Sequence, residues 1–136
     1  MTPSTPRGTR VSHIGIAVEA LGASLPFFRD VLGLKEVALD DADGASIVGL
    51  SAGEPLVELL EARDPASPIG RFVAKRGPGI HHICFAVDDL EGMIERCRAA
   101  GVELIDEEPR VGAEGKRIVF LHPRSTGGVL VELSDH

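Results

Sequence analysis

The sequence predicts an α+β fold: two tandem βαβββ modules joined in one curved mixed β-sheet, with helices outside. Three repeats lead there. His13-Ile14-Gly15-Ile16-Ala17-Val18-Glu19 recurs 69 residues later as His82-Ile83-Cys84-Phe85-Ala86-Val87-Asp88. Ile47-Val48-Gly49-Leu50 recurs after 71 residues as Ile118-Val119-Phe120-Leu121, and Val57-Glu58-Leu59 after 74 as Val131-Glu132-Leu133. So small a drift in spacing is what short loop differences produce, so one structural unit occurs twice. Module one is expected over about 11–66 and module two over about 80–135, within a single domain spanning 11–136. Residues 1–10, rich in Thr, Pro and Gly, are expected to form a flexible tail.

The elements follow in order. The first strand alternates His13, Gly15 and Ala17 on one face with Ile14, Ile16 and Val18 on the other. A helix is expected from about Ala23 to Leu32, with Pro26 in its first turn, where a missing N–H is tolerated. Strands centred on Val37, Ile47 and Val57 complete the module. Asp64 to Gly79, with three prolines, contains the connection and a short helix around Ile69 to Lys75. The second module opens with His82, Cys84 and Ala86 facing one way and Ile83, Phe85 and Val87 the other. Asp88 or Asp89 caps its helix, Leu90, Ile94 and Cys97 repeat at helical spacing, and Gly101 ends it. Strands centred on Leu104, Val119 and Val131 follow, the last preceded by a hairpin turn at Ser125-Thr126-Gly127-Gly128. Neither half buries its sheet alone, so the two are expected to pair.

Composition narrows the function. The chain has 136 residues, 43% of them apolar and 26% charged, with a formal net charge of −7. That charge disfavours a nucleic-acid binder, which needs a basic patch. No run of about 18 apolar residues marks a membrane helix, and the first ten residues lack the apolar stretch of a signal peptide. Cys84 and Cys97 are too few for a disulfide framework and read as small buried thiols. A reducing cytoplasm is the expected location.

His13, Glu58, His82 and Glu132 carry the chemistry. The two histidines lie on strand faces whose other members are small, which leaves room above the sheet. Glu58 and Glu132 stand inside the apolar runs Leu56-Val57-Glu58-Leu59-Leu60 and Leu130-Val131-Glu132-Leu133. A carboxylate there is costly to bury unless it is paired or bound to metal. The repeat couples all four, and the expected cofactor is one divalent metal ion held by His13, Glu58, His82 and Glu132. Two imidazoles and two carboxylates suit Co²⁺ first, with Mn²⁺, Ni²⁺, Fe²⁺ or Zn²⁺ as alternatives. Four ligands on an octahedral ion leave two positions open for substrate. His82 rather than His81 is assigned to the site because His82 aligns with His13; His81 faces the other way by parity and is expected to be packed, with support of a ligand from behind as the alternative.

At these residues the sequence resembles the vicinal oxygen chelate (glyoxalase-like) superfamily, which pairs two βαβββ modules around a metal. It is most similar to the methylmalonyl-CoA epimerase family, through Ser67-Pro68-Ile69 with Phe72, Gly79-Ile80-His81-His82-Ile83, Asp106-Glu107-Glu108-Pro109-Arg110, Phe120-Leu121-His122-Pro123-Arg124 and Gly128-Val129-Leu130-Val131-Glu132-Leu133. The resemblance implies epimerisation at C2 of a CoA thioester. The C2 proton is removed, an enolate is stabilised by the metal, and a proton returns on the opposite face, so two acid/base groups are needed. Some relatives place a glutamate on the third strand of module one, where this chain has Ile47. Glu132 and Glu58 are therefore the catalytic candidates here. The expected partners are the small-molecule CoA thioester and a second copy in a homodimer, without nucleic acid or membrane. Arg71, Lys75, Arg76, Arg110, Lys116, Arg117 and Arg124 are the cations available to its phosphates. The alternatives are a glyoxalase I-like lactoylglutathione lyase, and a metal-free small-molecule-binding protein of the drug-sequestering kind.

Overall fold

The computed structural model describes residues 8–135. Its eight strands form one mixed sheet in the order β2-β3-β4-β1-β5-β8-β7-β6. They are β1 (Arg10–Val18), β2 (Lys35–Val37), β3 (Ala45–Ser51), β4 (Leu56–Ala62), β5 (Gly79–Val87), β6 (Arg110–Val111), β7 (Arg117–Leu121) and β8 (Val131–Asp135). The modules join through β1 and β5, antiparallel at the centre, and each opening strand runs parallel to the last strand of its own module. The α+β fold and its repeat are thus as the sequence predicts. Residues 1–7 of the expected tail lie outside the described residues. Gly8 donates its N–H to Asp88 and Arg10 pairs with Asp88 at 3.7 Å, so β1 already begins inside the segment 1–10.

The two faces of the sheet separate core from site. Helix α1 (Leu21–Leu25, running on as a π-helical turn over Pro26–Val31) packs against Val18, Leu50 and Leu59. Helix α3 (Leu90–Ala99) packs against Val87, Val119 and Leu133. These residues stand on the side of each strand opposite the histidines, which is why alternation in the sequence puts helices on one face and the polar quartet on the other. Helix α2 (Pro68–Arg76) is the exception. It sits on the histidine side, where Ile69, Phe72 and Val73 pack with Ala17, Ala45 and Leu60 and close one end of the concavity. Ser67 caps it by accepting the N–H of Gly70, and Pro68 occupies its first position.

Three local expectations are corrected. Helix α1 begins at Leu21, with Glu61 of β4 accepting the Leu21 N–H at 2.7 Å, so Pro26 lies in the interior of the helical segment rather than in its first turn. A proline there lacks an N–H and crowds the preceding turn. The chain widens to π geometry, and the Leu32 N–H reaches the carbonyl of Phe27. In module two no strand forms around Leu104, which makes only an isolated bridge to Leu121; β6 lies further on at Arg110–Val111. The segment before β8 is no tight hairpin. A 3₁₀ turn at Pro123–Ser125 leads into a loop closed by the Gly128 N–H on the Pro123 carbonyl. Asp89 caps α3 by accepting the Gly92 N–H, and Gly101 follows the helix with φ 78°, both as expected.

Candidate metal centre

His13, Glu58, His82 and Glu132 meet at the centre of the sheet. Each is almost wholly buried, between 2% and 6% exposed. The strand register explains the meeting. Gly15 faces Glu58 across β1 and β4 and His82 across β1 and β5. Cys84, its repeat counterpart, faces His13 and Glu132 in the same way. Two strands from each module therefore deliver one side chain apiece to one point.

The donor atoms converge closely. His13 Nε2 is 3.0 Å from His82 Nε2 and 2.9 Å from Glu132 Oε1, and His82 Nε2 is 3.2 Å from the same oxygen. Ligand atoms about 2.0–2.2 Å from one ion, set at right angles around it, stand about 3 Å apart. The triangle has the spacing of one face of an octahedron. At most one proton fits between its atoms. Among the described residues, three of the four buried side-chain atoms without a hydrogen-bond partner belong to this cluster: His13 Nδ1, Glu58 Oε2 and Glu132 Oε1. Buried polar atoms are otherwise almost always paired, so this set fits a cation. His13 and His82 also come within ligand reach of Glu58, and His13 and Glu132 of Cys84.

Glu58 differs from the other three. Its Oε2 lies 3.3 Å from Nδ1 of His13, whereas the triangle is built on Nε2 of that ring. Burial pushes its carboxyl up to about 8; the His13 charge opposes this, and the neighbouring Glu114 and Glu132 add to it. Glu132 is pulled the other way. Burial resists its ionisation, but contacts with His13 and His82 hold it down at about 2. Burial likewise resists charging His13, but Cys84, Glu114 and Glu132 push it up to about 12. An imidazole so strongly favoured as a cation marks surroundings rich in negative charge, which a divalent ion would neutralise instead.

Two further residues touch the site, one expected chiefly to pack and one that no sequence pattern marks. His81 is packed, its ring edge-on to Phe72 with centroids 5.0 Å apart, but its Nδ1 also lies 3.0 Å from Nδ1 of His82. Burial and the adjacent His82 push His81 down to about 4, so it is neutral, and one of the two facing Nδ1 atoms donates to the other. That fits an Nδ1–H tautomer on His82, with Nε2 free for an ion. Glu114, in the loop before β7, places Oε2 2.7 Å from Nδ1 of His13. Neither strand alternation nor the repeat points to it. Of the seven cations named from the sequence, Arg110 alone lines the cavity beside the quartet.

That cavity, about 200 Å³, opens on the histidine face and is walled by Ile47, Leu60, Ile69, Ile105, Phe120 and Leu130. Arg110 stands at its edge, paired with Asp43 at 2.8 Å and Asp106 at 3.1 Å and set over the Phe120 ring. A larger groove of about 530 Å³ adjoins it, sharing Pro68, His81, His82 and Leu130, and carries Arg71, Lys75 and Arg76 of α2. Apolar walls exclude water around the polar cluster, and the adjoining groove offers positive charge to an anionic extension of a ligand.

Comparison with known proteins agrees with this arrangement. Residues 12–120 match the glyoxalase/bleomycin resistance protein/dioxygenase superfamily. The chain is 37% identical to the mitochondrial methylmalonyl-CoA epimerase of Mus musculus, over 91% of this chain and 71% of that one. It is 37% identical to the ethylmalonyl-CoA/methylmalonyl-CoA epimerase of Cereibacter sphaeroides, over 91% of this chain and 96% of that one. A variant of the Streptomyces coelicolor methylmalonyl-CoA epimerase, solved with 2-nitronate-propionyl-CoA, superposes with a TM-score of 0.87 at 35% identity, covering 93% of this chain and 96% of that one.

Proposed function

We propose that this chain, which belongs to the glyoxalase/bleomycin resistance protein/dioxygenase superfamily and within it to the methylmalonyl-CoA epimerase family, interconverts the (2R) and (2S) epimers of methylmalonyl-CoA with one divalent ion bound. The observation that carries the reading is the convergence of His13 Nε2, His82 Nε2 and Glu132 Oε1 beside an apolar cavity. Those three residues, with Glu58 as fourth donor once deprotonated, would hold the ion. Co²⁺, Mn²⁺, Ni²⁺ and Zn²⁺ all suit this donor set, and Co²⁺ is the ion proposed. Such an ion supplies a Lewis acid where negative charge develops on the thioester oxygen after C2 deprotonation.

The chain's own residues supply the rest. Ile47, Leu60, Ile69 and Phe120 surround the acyl group and keep water from the reacting carbon. The proton must leave one face of C2 and return to the other. In the metal-free chain burial raises the Glu58 carboxyl to about 8, while contacts with the two histidines hold Glu132 at about 2; Glu58 and Glu132 are the acid/base groups proposed for the two faces of C2. The groove beside α2 takes the CoA portion, its phosphates facing Arg71, Lys75 and Arg76. The cytoplasm and a homodimer complete the proposal. Cys84 and Cys97, both free thiols, suit a reducing compartment, and sedimentation velocity tests the dimer. No helix of the described residues is long and apolar enough to cross a membrane.

The test follows conversion of (2R)-methylmalonyl-CoA to the (2S) epimer by the Co²⁺-loaded protein, alongside methylglyoxal with glutathione. Epimerisation supports the proposal. Turnover of the hemithioacetal alone would make the protein a lyase, and ligand binding without turnover or metal uptake would make it a binding protein.

A further inference from the structure

The two site histidines are supported from behind by different groups. Nδ1 of His82 faces the neutral His81 ring at 3.0 Å. Nδ1 of His13 has no aligned hydrogen bond, and of the two carboxylate oxygens paired with it, Glu114 Oε2 at 2.7 Å is nearer than Glu58 Oε2 at 3.3 Å. Glu114 belongs to module two, His13 to module one. The loop that carries Glu114 is held firmly. The Gly112 N–H reaches the Lys116 carbonyl, the Gly115 N–H reaches the Gly112 carbonyl, and the Asp40 N–H of module one binds the Ala113 carbonyl at 3.0 Å. The Glu114 side chain is only 17% exposed. It does not line the cavity; it comes to His13 from the outer side, beside Leu56 and Lys116. Its repeat counterpart by spacing is Asp43, whose shorter carboxylate is engaged by Arg110 at 2.8 Å.

We propose that Glu114 is a positioning residue for the metal centre: it takes the Nδ1–H of His13 and fixes the tautomer that turns Nε2 toward the ion. This rests on the metal site proposed above. A carboxylate behind a ligating imidazole orients the ring and raises its basicity as a ligand. The contact also ties metal binding to the seating of the 112–116 loop on module one.

Glu114→Ala and Glu114→Gln test it by calorimetric titration with Co²⁺, by the visible absorption of the Co²⁺ protein, and by melting of the metal-free chain. Loss of such a partner weakens metal binding roughly 10- to 100-fold. Glu114→Ala is expected to show that loss with an altered Co²⁺ spectrum. Glu114→Gln, which keeps an acceptor oxygen, is expected to recover part of it, while both variants lose the ion pair with His13 and melt lower in the metal-free state. Unchanged Co²⁺ affinity and spectrum in Glu114→Ala would overturn the proposal. Equal losses of Co²⁺ affinity in both variants with the parent's Co²⁺ spectrum retained would do the same, by reducing Glu114 to a prop of its loop. If the parent itself takes up no Co²⁺, the metal site fails first and the role of Glu114 falls with it.

Discussion

The imidazole of His82 lies directly over Gly15: a Cβ at residue 15 would stand 2.2 Å from Cε1 of His82 and 2.8 Å from its Nε2. Glycine at this point is therefore part of the site, since it makes room for the ring that completes the donor triangle. Gly15→Ala is expected to push the His82 ring aside and weaken Co²⁺ binding by roughly tenfold or more, the scale on which disturbed ligand orientation acts. Gly22→Ala, where an added methyl meets nothing within 4 Å, is the control and leaves Co²⁺ affinity unchanged. Titration calorimetry on the two variants decides the matter.

Glu58 and Glu132 should separate under amide substitution. Glu132→Gln replaces the charged triangle corner that touches both histidines with a neutral amide oxygen, so Co²⁺ affinity should drop by more than about 100-fold, beyond the loss typical of an outer partner. Glu58→Gln should retain most of the bound ion and lose roughly 100-fold or more in kcat, the scale of general acid–base catalysis. Metal content by elemental analysis, read beside kcat, separates the roles. A Glu132→Gln protein with full metal and full activity would remove Glu132 from both.

Protons and the ion compete for the same atoms. In the metal-free chain Glu58, raised to about 8, and His13, raised to about 12, both hold protons at neutral pH. Binding must displace them, so Co²⁺ affinity rises with pH, and about two protons are released per ion between about pH 6 and about pH 8. Calorimetry in buffers of different ionisation enthalpy counts them. Stability of the metal-free chain moves the opposite way. Glu58 favours its neutral form when folded, so its contribution declines as pH climbs from 4.5 toward about 8. The contribution of His13 is complete below 6.5 and is lost as pH rises toward about 12. That of Glu132 is present above 4.5 and is lost as pH falls toward about 2. Metal-free melting temperatures should therefore be highest at mildly acidic pH, and Co²⁺ should raise them most above neutrality.

Leu59 shows the other face of β4. It neighbours Glu58 in sequence but points to α1 and is fully buried among Val18, Leu50 and their neighbours. Leu59→Ala should cost about 2–5 kcal/mol of stability, as large-to-small core changes do. Its cavity opens on the face away from the site, so folded protein should keep its Co²⁺ affinity. Urea unfolding and Co²⁺ titration measure the two effects separately.

How far the sequence foretells this arrangement depends on which interactions are periodic. The quartet is legible because strand alternation and the repeat both constrain it: His13 and His82 share a face, and the parallel pairings of β1 with β4 and β5 with β8 bring Glu58 and Glu132 beside them. Glu114 is not legible, because its reach to His13 depends on a loop of one module docking on the other, which no local pattern encodes. The widened turn at Pro26 is half legible: the proline announces a conflict, but the start of the helix depends on Glu61 from β4. Leu104 has the composition of a strand yet forms only a bridge, since pairing is decided by the neighbouring chain as well as by propensity. Alternation marks Gly15 as leaving space above the sheet, and that space is filled by His82.

The most direct measurement of the central claim is exchange at C2 of methylmalonyl-CoA in D₂O, followed by NMR with the metal-free and the Co²⁺-loaded protein. Rapid C2 deuteration is expected with Co²⁺ present, little without it, and loss of the exchange in Glu132→Gln. Exchange no faster than the uncatalysed background in the Co²⁺-loaded protein would contradict the claim.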